Sequence, residues 1–586
     1  MKDEWARSFQ RFRPISLLST VSKLYEGIVR ARLQRVSDRH SWLPDYQVGF
    51  RPGRNSTEHL IRLQQSSHTA FRQKQVLLAA FLDIEQAYDS VSRDLLLRLL
   101  QNLGVSGNML SYLELFLSDR SSTVRYRNSV SSSRRFTNGV PQGSPLSPLL
   151  FNIYSASALR YSGPDVAAAA DDMLVWASGP SVQAAQHLLS SRLEPVWEWG
   201  RLYHQSFHYG KCKVLTISRK RFLQEPQVKF GDRFLTSAPE ARYLGVIFDK
   251  TLSWKPQTTQ LVLEGEKRYQ RICQIAHGSR GARARVIKTI YQFDTRSKLD
   301  YGSEVWGDLS KSNSDRVESI QHKSLSRVLG VSYVSHRTDV CVETDHPPLV
   351  VRRKLQLLRY WIRLRSSPST LGQQLQALPP SRRLRGSQRQ SYFERLTKTA
   401  TSLNLTLEQV LSLSNSELSD IQLHLWVRHH ESERNRLDSS DPLARHRHYE
   451  SFQPGVPSTH PAFGSRLPRA SLAIFHSLRL GTAPLNAFLH HIRCARSPAC
   501  ECGYHAETVQ HYLLHCRNFA AQRAVLRRDI HSLVPRTPLS LQLLLGNPFG
   551  LRPRQLLRVV RCVCKFVATS ARFRRKRRSR RRGGSR

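Results

Sequence analysis

Apolar residues first fall at helical spacing, at Leu17, Leu18, Val21, Leu24, Tyr25, Ile28 and Leu33, and give way to a loop bearing Gly and Arg, Gln47-Val-Gly-Phe-Arg-Pro-Gly-Arg54. The period then changes. Val76–Leu82 is a continuous apolar run that leads into Asp83 and Ile84, after which Leu95, Leu96, Leu99 and Leu100 resume the helical period. That order predicts a strand passing into a helix. Helix and strand patterns alternate to about residue 250, which predicts an α+β domain. Between about 251 and 365 the strand signals fade, and segments such as Arg353–Arg365 interleave Leu, Tyr and Trp with Arg and Lys, as basic amphipathic helices do.

Beyond that lie a Ser, Pro, Arg and Gln-rich stretch at 366–390, read as a linker, and a second polar gap near Asp438–Pro468. The expected organisation is therefore 1–250, α+β; 251–365, helical and basic; 366–390, linker; 391–490, helical and connecting; 491–530, a small Cys/His unit; 531–571, helical; and 572–586, a disordered basic tail.

Composition narrows the class. At 586 residues, 40% of them apolar, the chain needs more than one core. Ninety Lys and Arg against 44 Asp and Glu leave a formal charge of +46, several-fold beyond the roughly 2–8 that keeps a small domain soluble. A polyanionic partner, nucleic acid first, fits that surplus. No run approaches the ~18 apolar residues of a membrane span, and the start lacks a signal-peptide core. The expectation is an intracellular protein, of cytoplasm and nucleus, without a membrane partner. Nine cysteines, five of them without a metal-like partner set, do not form a disulfide framework.

Two acidic positions carry candidate chemistry. Asp83 ends one apolar run and Asp171-Asp172 follows another, Val166–Ala170. Carboxylates brought together at one sheet edge suit Mg²⁺, which prefers hard oxygen ligands. An Asp pair alone is common in turns. The segment Asn138-Gly-Val-Pro-Gln-Gly-Ser-Pro-Leu-Ser-Pro148 adds weight, because its glycines and prolines suit a rigid loop whose backbone closely approaches a ligand.

The ordered series Arg13-Pro-Ile-Ser-Leu-Leu, Gln47-Val-Gly-Phe-Arg51, Phe81-Leu-Asp-Ile, Gly139-Val-Pro-Gln-Gly-Ser-Pro-Leu-Ser-Pro, Ala170-Asp-Asp, Lys211-Cys-Lys and Tyr243-Leu-Gly-Val-Ile-Phe-Asp resembles the successive blocks of non-LTR (LINE-type) retrotransposon reverse transcriptases. The resemblance implies a right-hand polymerase of fingers, palm and thumb, followed by a mostly helical carboxy-terminal region. The activity it implies is RNA-directed DNA polymerisation, with an RNA template, a DNA primer or target and deoxynucleoside triphosphates as partners and no organic cofactor.

It further implies that Asp83 and Asp171 hold two Mg²⁺ or Mn²⁺ ions, with Ile84 adding a backbone carbonyl and Asp172 a supporting acid. Tyr88 would stand under the nucleotide sugar and exclude a 2′-hydroxyl. Arg51 would pair with the triphosphate. Gln142 and Gly143 would lie along the nucleotide, Gln142 also along the template. Lys211 would serve as a proton donor near the pyrophosphate or stand as a solvated surface lysine. Tyr243, Leu244 and Gly245 would grip the primer end.

Three departures stand out. Ala169 takes the place of the family's usual aromatic before Ala-Asp-Asp, and the alanine run 167–170 is a poor strand former, so a weakened hairpin is expected. The chain starts a dozen residues before Arg13-Pro-Ile, which places the first fingers segment and the endonuclease outside it and implies copying without target nicking. After residue 366 no ribonuclease H acidic series is legible. A catalytically decayed or domesticated nucleic-acid-binding remnant is the alternative to an active polymerase.

Cys500-Glu-Cys502, His511 and Cys516 form a C-x-C-x8-H-x4-C set, of the ligand type and number that a structural, tetrahedral Zn²⁺ takes. It also resembles the Cys/His knuckle downstream of the polymerase in these elements. Cys494 and His515 rank lower as ligands, and Cys562-Val-Cys564 has no second pair nearby.

Overall fold

The computed structural model describes residues 15–160, 165–221, 223–276, 281–367, 369–376, 391–438, 448–449, 460–465, 467–546 and 550–573. Arg13 and Pro14, most of the polar gap near Asp438–Pro468, residues 377–390 of the expected linker and the tail beyond Phe573 lie outside the described residues. The chain forms two compact units that interleave along the sequence, one of Met1–Gln257, Glu304–Leu309 and Tyr360–Lys398, the other of Thr258–Ser303, Ser310–Arg359 and Thr399–Arg586.

The first unit is built on a five-stranded sheet in the order Thr236–Ala238, Lys213–Ile217, Val76–Asp83, Asp172–Gly179, Val166–Ala169. All neighbours are antiparallel except the Thr236–Ala238 edge, which runs parallel to Lys213–Ile217. The Val76–Asp83 strand is central, and its continuous apolar run follows from burial on both faces. Val76, Leu78, Ala80 and Leu82 join a core with Val182, Leu189, Leu193 and Trp199 of the Val182–Leu202 helix. Leu77 and Ala79, which alternation places on the other face, are just as buried.

The helix Thr57–Arg72 is buried around most of its circumference, polar residues included. Burying such groups requires partners, and segments distant in sequence supply them. Gln64 Nε2 donates to the Val305 carbonyl at 2.8 Å, Arg62 Nη1 to Gln374 Oε1 at 2.9 Å, and Ser369 Oγ to Glu58 Oε2 at 2.7 Å. The stretch expected to be a linker thus contains a helix, Leu371–Gln376, and its polar side chains satisfy buried groups of the first unit. His59 sits fully buried between the Tyr46 carbonyl (2.9 Å) and the Tyr243 hydroxyl (3.2 Å).

Among the described residues the second unit is helical, every strand lying between Val76 and Asp249. Its interior holds a charged cluster. The Glu343 carboxylate accepts from Arg479 Nε at 2.8 Å, Arg479 Nη2 at 3.0 Å and the Tyr449 hydroxyl at 2.9 Å, with His476 Nδ1 at 2.6 Å. Burial alone would raise the Glu343 pKa, but Arg479 and His476 hold it well below the ordinary value. Losing one partner would leave a buried charge uncompensated, typically costing about 3–5 kcal/mol.

Burial, then the nearby Arg62, lowers the His59 pKa to about 3, and burial lowers His68 to about 3. A base whose folded pKa lies below its unfolded value takes up its proton on unfolding. Its stability contribution is therefore complete above pH ~6.5 and is lost as pH falls towards ~3. Denaturant titrations should show unfolding free energy dropping below pH ~6.5 by up to about 1.4 kcal/mol per pH unit for each such histidine. His59→Phe should make that acid limb shallower even if it lowers the plateau, and an unchanged limb would contradict the assignment.

Candidate active site and Cys/His cluster

The sheet pairs Asp83 directly with Asp172, at the end of a register that runs from Val76 opposite Gly179. Directly opposed residues project to the same face. The neighbouring strand closes the hairpin by pairing Ala169 with Asp172, and the two residues between, Ala170 and Asp171, make the turn. Ala170 has φ +62°, a position where tight hairpins prefer glycine. The Ile84 N–H reaches the Asp171 carbonyl at 3.4 Å, joining the turn to the end of the central strand. All three carboxylates are partly exposed, so the sheet edge presents Asp83, Asp171 and Asp172 together to solvent.

Lys211 Nζ lies 2.9 Å from Asp83 Oδ2. The loop that carries it is tied to the same strand, because the His208 N–H donates to the Asp83 carbonyl at 2.9 Å and the Asp83 N–H approaches Cys212 Sγ at 3.5 Å. Lys211 is therefore placed at the carboxylates by backbone pairing.

The Tyr88 ring stacks on Phe151 with centroids 5.1 Å apart and planes 14° from parallel. Burial, then the charge of Asp171, raises its phenol to about 12, so the ring is neutral across physiological pH. The Tyr88 carbonyl accepts from the Val140 N–H at 2.9 Å, which fixes the tyrosine to the Gly139–Pro148 loop. Gln142 Nε2 donates to Asp89 Oδ2 at 3.3 Å, and its carbonyl accepts from Ser16 N at 2.6 Å. Gly143, with φ +127°, packs so closely that an added Cβ would lie 2.6 Å from the Ser16 carbonyl oxygen. Here the glycine is required by backbone approach as well as by φ.

Two expected site residues make contacts within the protein. Arg51 turns its guanidinium onto its own loop, donating to the carbonyls of Pro44 at 2.8 Å and Gln47 at 3.2 Å. Tyr243 is 3% exposed, its ring 5.6 Å from that of Phe81 and its hydroxyl on His59. Of the three residues expected to grip the primer, the two in the hairpin turn, Leu244 and Gly245 at φ +45° and +85°, remain partly exposed. The motif marked the hairpin; the packing of the central sheet turned the tyrosine inward.

Residues 2–248, which contain every position above, match the family described as reverse transcriptase (RNA-dependent DNA polymerase). This stretch is a reverse-transcriptase domain. The chain is 29% identical over 389 residues to the "Probable RNA-directed DNA polymerase from transposon BS" of Drosophila melanogaster, covering 64% of this chain and 42% of that protein. It is 26% identical over 372 residues to the RNA-directed DNA polymerase from mobile element jockey of Drosophila funebris, covering 62% and 40%. A third likeness, 24% over 528 residues, is to the retrovirus-related Pol polyprotein from type-1 retrotransposable element R1 of Bradysia coprophila, covering 86% and 46%. The chain thus spans less than half the length of these relatives. A solved telomerase from Candida albicans in complex with a telomeric RNA fragment aligns over 62% of this chain and 59% of its own, at 15% identity and a TM-score of 0.28.

In the second unit Cys500, Cys502, His511 and Cys516 are all buried, with ligand atoms within 4.8 Å of one another. Cys500 Sγ lies 3.7 Å from Cys516 Sγ, and Cys502 Sγ 3.3 Å from His511 Nε2. A tetrahedral centre with metal–sulfur bonds of about 2.3 Å has sulfur–sulfur edges of roughly 3.8 Å, so the spacing fits such an ion. Gly503, at φ +89°, turns the chain between the first cysteines and Tyr504, whose ring lies flat on His511 with centroids 4.4 Å apart. Arg523 fixes the far side by donating to the carbonyls of Leu513 and Cys516 at 3.0 and 2.6 Å. Cys494 is exposed and stands outside the set, as do His515, Cys562 and Cys564.

Several residues that shape the reverse-transcriptase site escape sequence reasoning. Gln47 Nε2 donates to the Asn152 carbonyl at 2.9 Å and lies 3.0 Å from Ser155 Oγ, and Asn152 Nδ2 donates to the Gly49 carbonyl at 2.6 Å. Residues 46–48 thereby run beside the alanine strand, exchanging backbone bonds with Ala168 at 3.1 and 3.2 Å. Poor strand formers by propensity, these alanines are nonetheless paired along the strand's length with Asp172–Val175 and flanked by this loop. Small residues suit the site, since a Cβ on Gly49 would lie 2.7 Å from the Ala170 nitrogen. Gly49→Ala should lower stability by about 1–3 kcal/mol through overpacking, read as a drop in denaturation midpoint. An unchanged midpoint would show that the loop and the hairpin are not held in this contact.

Proposed function

We propose that the chain is an RNA-directed DNA polymerase of the non-LTR retrotransposon kind, extending a DNA 3′ end on an RNA template. The observation that carries the reading is the register that sets Asp83 opposite Asp172, with Asp171 in the adjoining turn, inside a reverse-transcriptase domain. Three partly exposed carboxylates at one sheet edge form the oxygen-rich donor set that Mg²⁺ or Mn²⁺ takes. Asp83 and Asp171 would hold the two ions, Ile84 would add its carbonyl and Asp172 would support them. Such ions lower the pKa of the attacking 3′-hydroxyl and neutralise charge on the leaving pyrophosphate.

The chain's own groups supply positioning. Tyr88, held by Phe151 and by the Val140 N–H, presents a neutral ring where a ribose 2′-hydroxyl would collide. The Gly139–Pro148 loop would present Gln142 and the exposed Gly143 to the nucleotide and template. Lys211, paired with Asp83 here, would be released once that carboxylate binds an ion, leaving its ammonium to hold a proton beside the pyrophosphate. Arg51 would leave the Pro44 and Gln47 carbonyls to meet the triphosphate, and Leu244-Gly245 would bear on the primer end beside Tyr243. Copying RNA onto a DNA end would place this work in cytoplasm and nucleus.

The purified chain, given a primed RNA template, deoxynucleotides and Mg²⁺, should incorporate nucleotide. Asp83→Asn or Asp171→Asn should lower the rate by about 10³-fold or more, the scale of several kcal/mol of lost transition-state stabilisation. Incorporation indifferent to both substitutions would contradict the reading. Silence in the parent with RNA binding retained would identify a binding remnant.

The donor set at Cys500, Cys502, His511 and Cys516 suits structural Zn²⁺, with no position left open for chemistry. One equivalent of zinc should accompany the purified chain by elemental analysis, and Cys502→Ser should remove it. A strong chelator should lower the thermal midpoint of the parent and leave that of Cys502→Ser unchanged. Absence of zinc together with a chelator-insensitive midpoint would overturn the assignment.

A further inference from the structure

Between the helix Gly107–Leu117 and the Gly139–Pro148 loop the chain makes a β-arm of two short ladders. Arg120–Ser122 pairs with Arg134–Phe136, and beyond them Arg125–Tyr126 pairs with Ser129–Val130. From residue 119 to residue 138 the sequence has one acid, Asp119, and five arginines, at 120, 125, 127, 134 and 135. Asp119 is taken up by Arg135 at 2.5 Å. Among the described residues Arg125, Arg127 and Arg134 form no ion pair, and all three are exposed. Interleaved with them are the hydroxyls of Ser121, Ser122, Thr123 and Ser129, also exposed, while Ser131 Oγ donates to the Ser132 carbonyl at 2.9 Å within the arm. Arginine and serine are donors that bind phosphate oxygens, and such contacts position a nucleic acid without reading its sequence.

The arm is anchored to the active-site loop. Arg93, 8% exposed, donates from Nη1 to the Phe136 carbonyl at 2.7 Å, from Nη2 to the Asn138 carbonyl at 2.9 Å and from Nε to the Gly139 carbonyl at 3.1 Å. One buried guanidinium thus fixes the last rung of the arm and the first residue of the loop that carries Gln142. On the other side of that loop Ser144 Oγ donates to the buried Glu26 carboxylate, whose charge also acts on Arg120 at the base of the arm.

Resting on the polymerase reading, which sets Gln142 along the template, we infer that the β-arm is a phosphate-binding surface for the template RNA strand, sequence-independent and electrostatic. Arginines also guard exposed strands against edge-to-edge aggregation. That duty would be served equally by uncharged polar groups or by acids, whereas phosphate binding requires the positive charge.

The test measures binding of the full chain to a labelled single-stranded RNA, to the same RNA with a short DNA primer, and to a blunt RNA–DNA hybrid, each across a range of salt concentrations. In Arg125→Gln/Arg127→Gln/Arg134→Gln the slope of log Kd against log salt on the overhang-bearing template should fall by about 2, at roughly 0.7 per single-strand phosphate contact. Its Kd at ~0.1 M salt should rise by about tenfold or more. The matching triple Lys variant should keep the parent slope, because lysine binds phosphate as a point charge, and Arg127→Gln alone should lower it by about 0.7.

An unchanged slope in the Gln variants overturns the inference. So does a loss confined to the blunt hybrid, which would make the occupant the duplex rather than the template strand. A chain that binds in this arm-dependent way but never extends a primer would sink the polymerase reading alone. A chain that extends normally, with no change in salt slope, would sink the arm alone.

Discussion

The site depends on strand register. Because side chains alternate across a sheet, a shift of one residue between Val76–Asp83 and Asp172–Gly179 would move Asp172 to the opposite face from Asp83 and dissolve the carboxylate group. The register is held by a central strand whose residues from Val76 to Leu82 are all buried, so any slip would expose or misplace an entire core row. The hairpin turn sets the last step, bringing Ala169 back opposite Asp172 and leaving Asp171 at the corner. The placement of the three acids is thus an outcome of hydrophobic packing along the whole of the central strand.

Around this fixed edge the chain places a cation and several closely packed backbone segments. Lys211 provides a counter-charge for Asp83, and backbone pairing of its loop with the central strand brings it there. Glycines allow the approach of other backbone segments, Gly49 against Ala169 and Ala170, and Gly143 against Ser16. Buried polar side chains then tie these segments to the helices behind them, Gln47 to Asn152 and Ser155, and Ser144 to Glu26. Buried hydrogen bonds of this sort cost most when one partner is lost.

Much of this was legible in the sequence because the relevant signals are local. The unbroken apolar run at Val76–Leu82 indicates a strand covered on both faces, and the acids at its end and after Val166–Ala170 mark the site. Cysteine and histidine spacing was enough to find the four-residue cluster, whose side chains come from adjacent turns. What escaped depends on distant partners. Nothing in the pattern at 366–390 shows that Ser369 and Gln374 satisfy Glu58 and Arg62, whose positions lie far away in the sequence. Tyr243 carries the same motif whether its ring points in or out, and only His59 and Phe81 decide that it points in. The alanine run reads as a poor strand by propensity, yet a strand flanked on both sides takes its stability from its neighbours.

In the proposed polymerase this register creates a divalent-metal site. It is tested most directly by electron paramagnetic resonance of Mn²⁺ titrated into the chain bound to a primed RNA template and a non-incorporable deoxynucleotide analogue. The account predicts two bound Mn²⁺ ions in the parent, and loss of binding in Asp83→Asn and in Asp171→Asn at unchanged affinity for the template. Equal Mn²⁺ binding in the parent and both variants would contradict it.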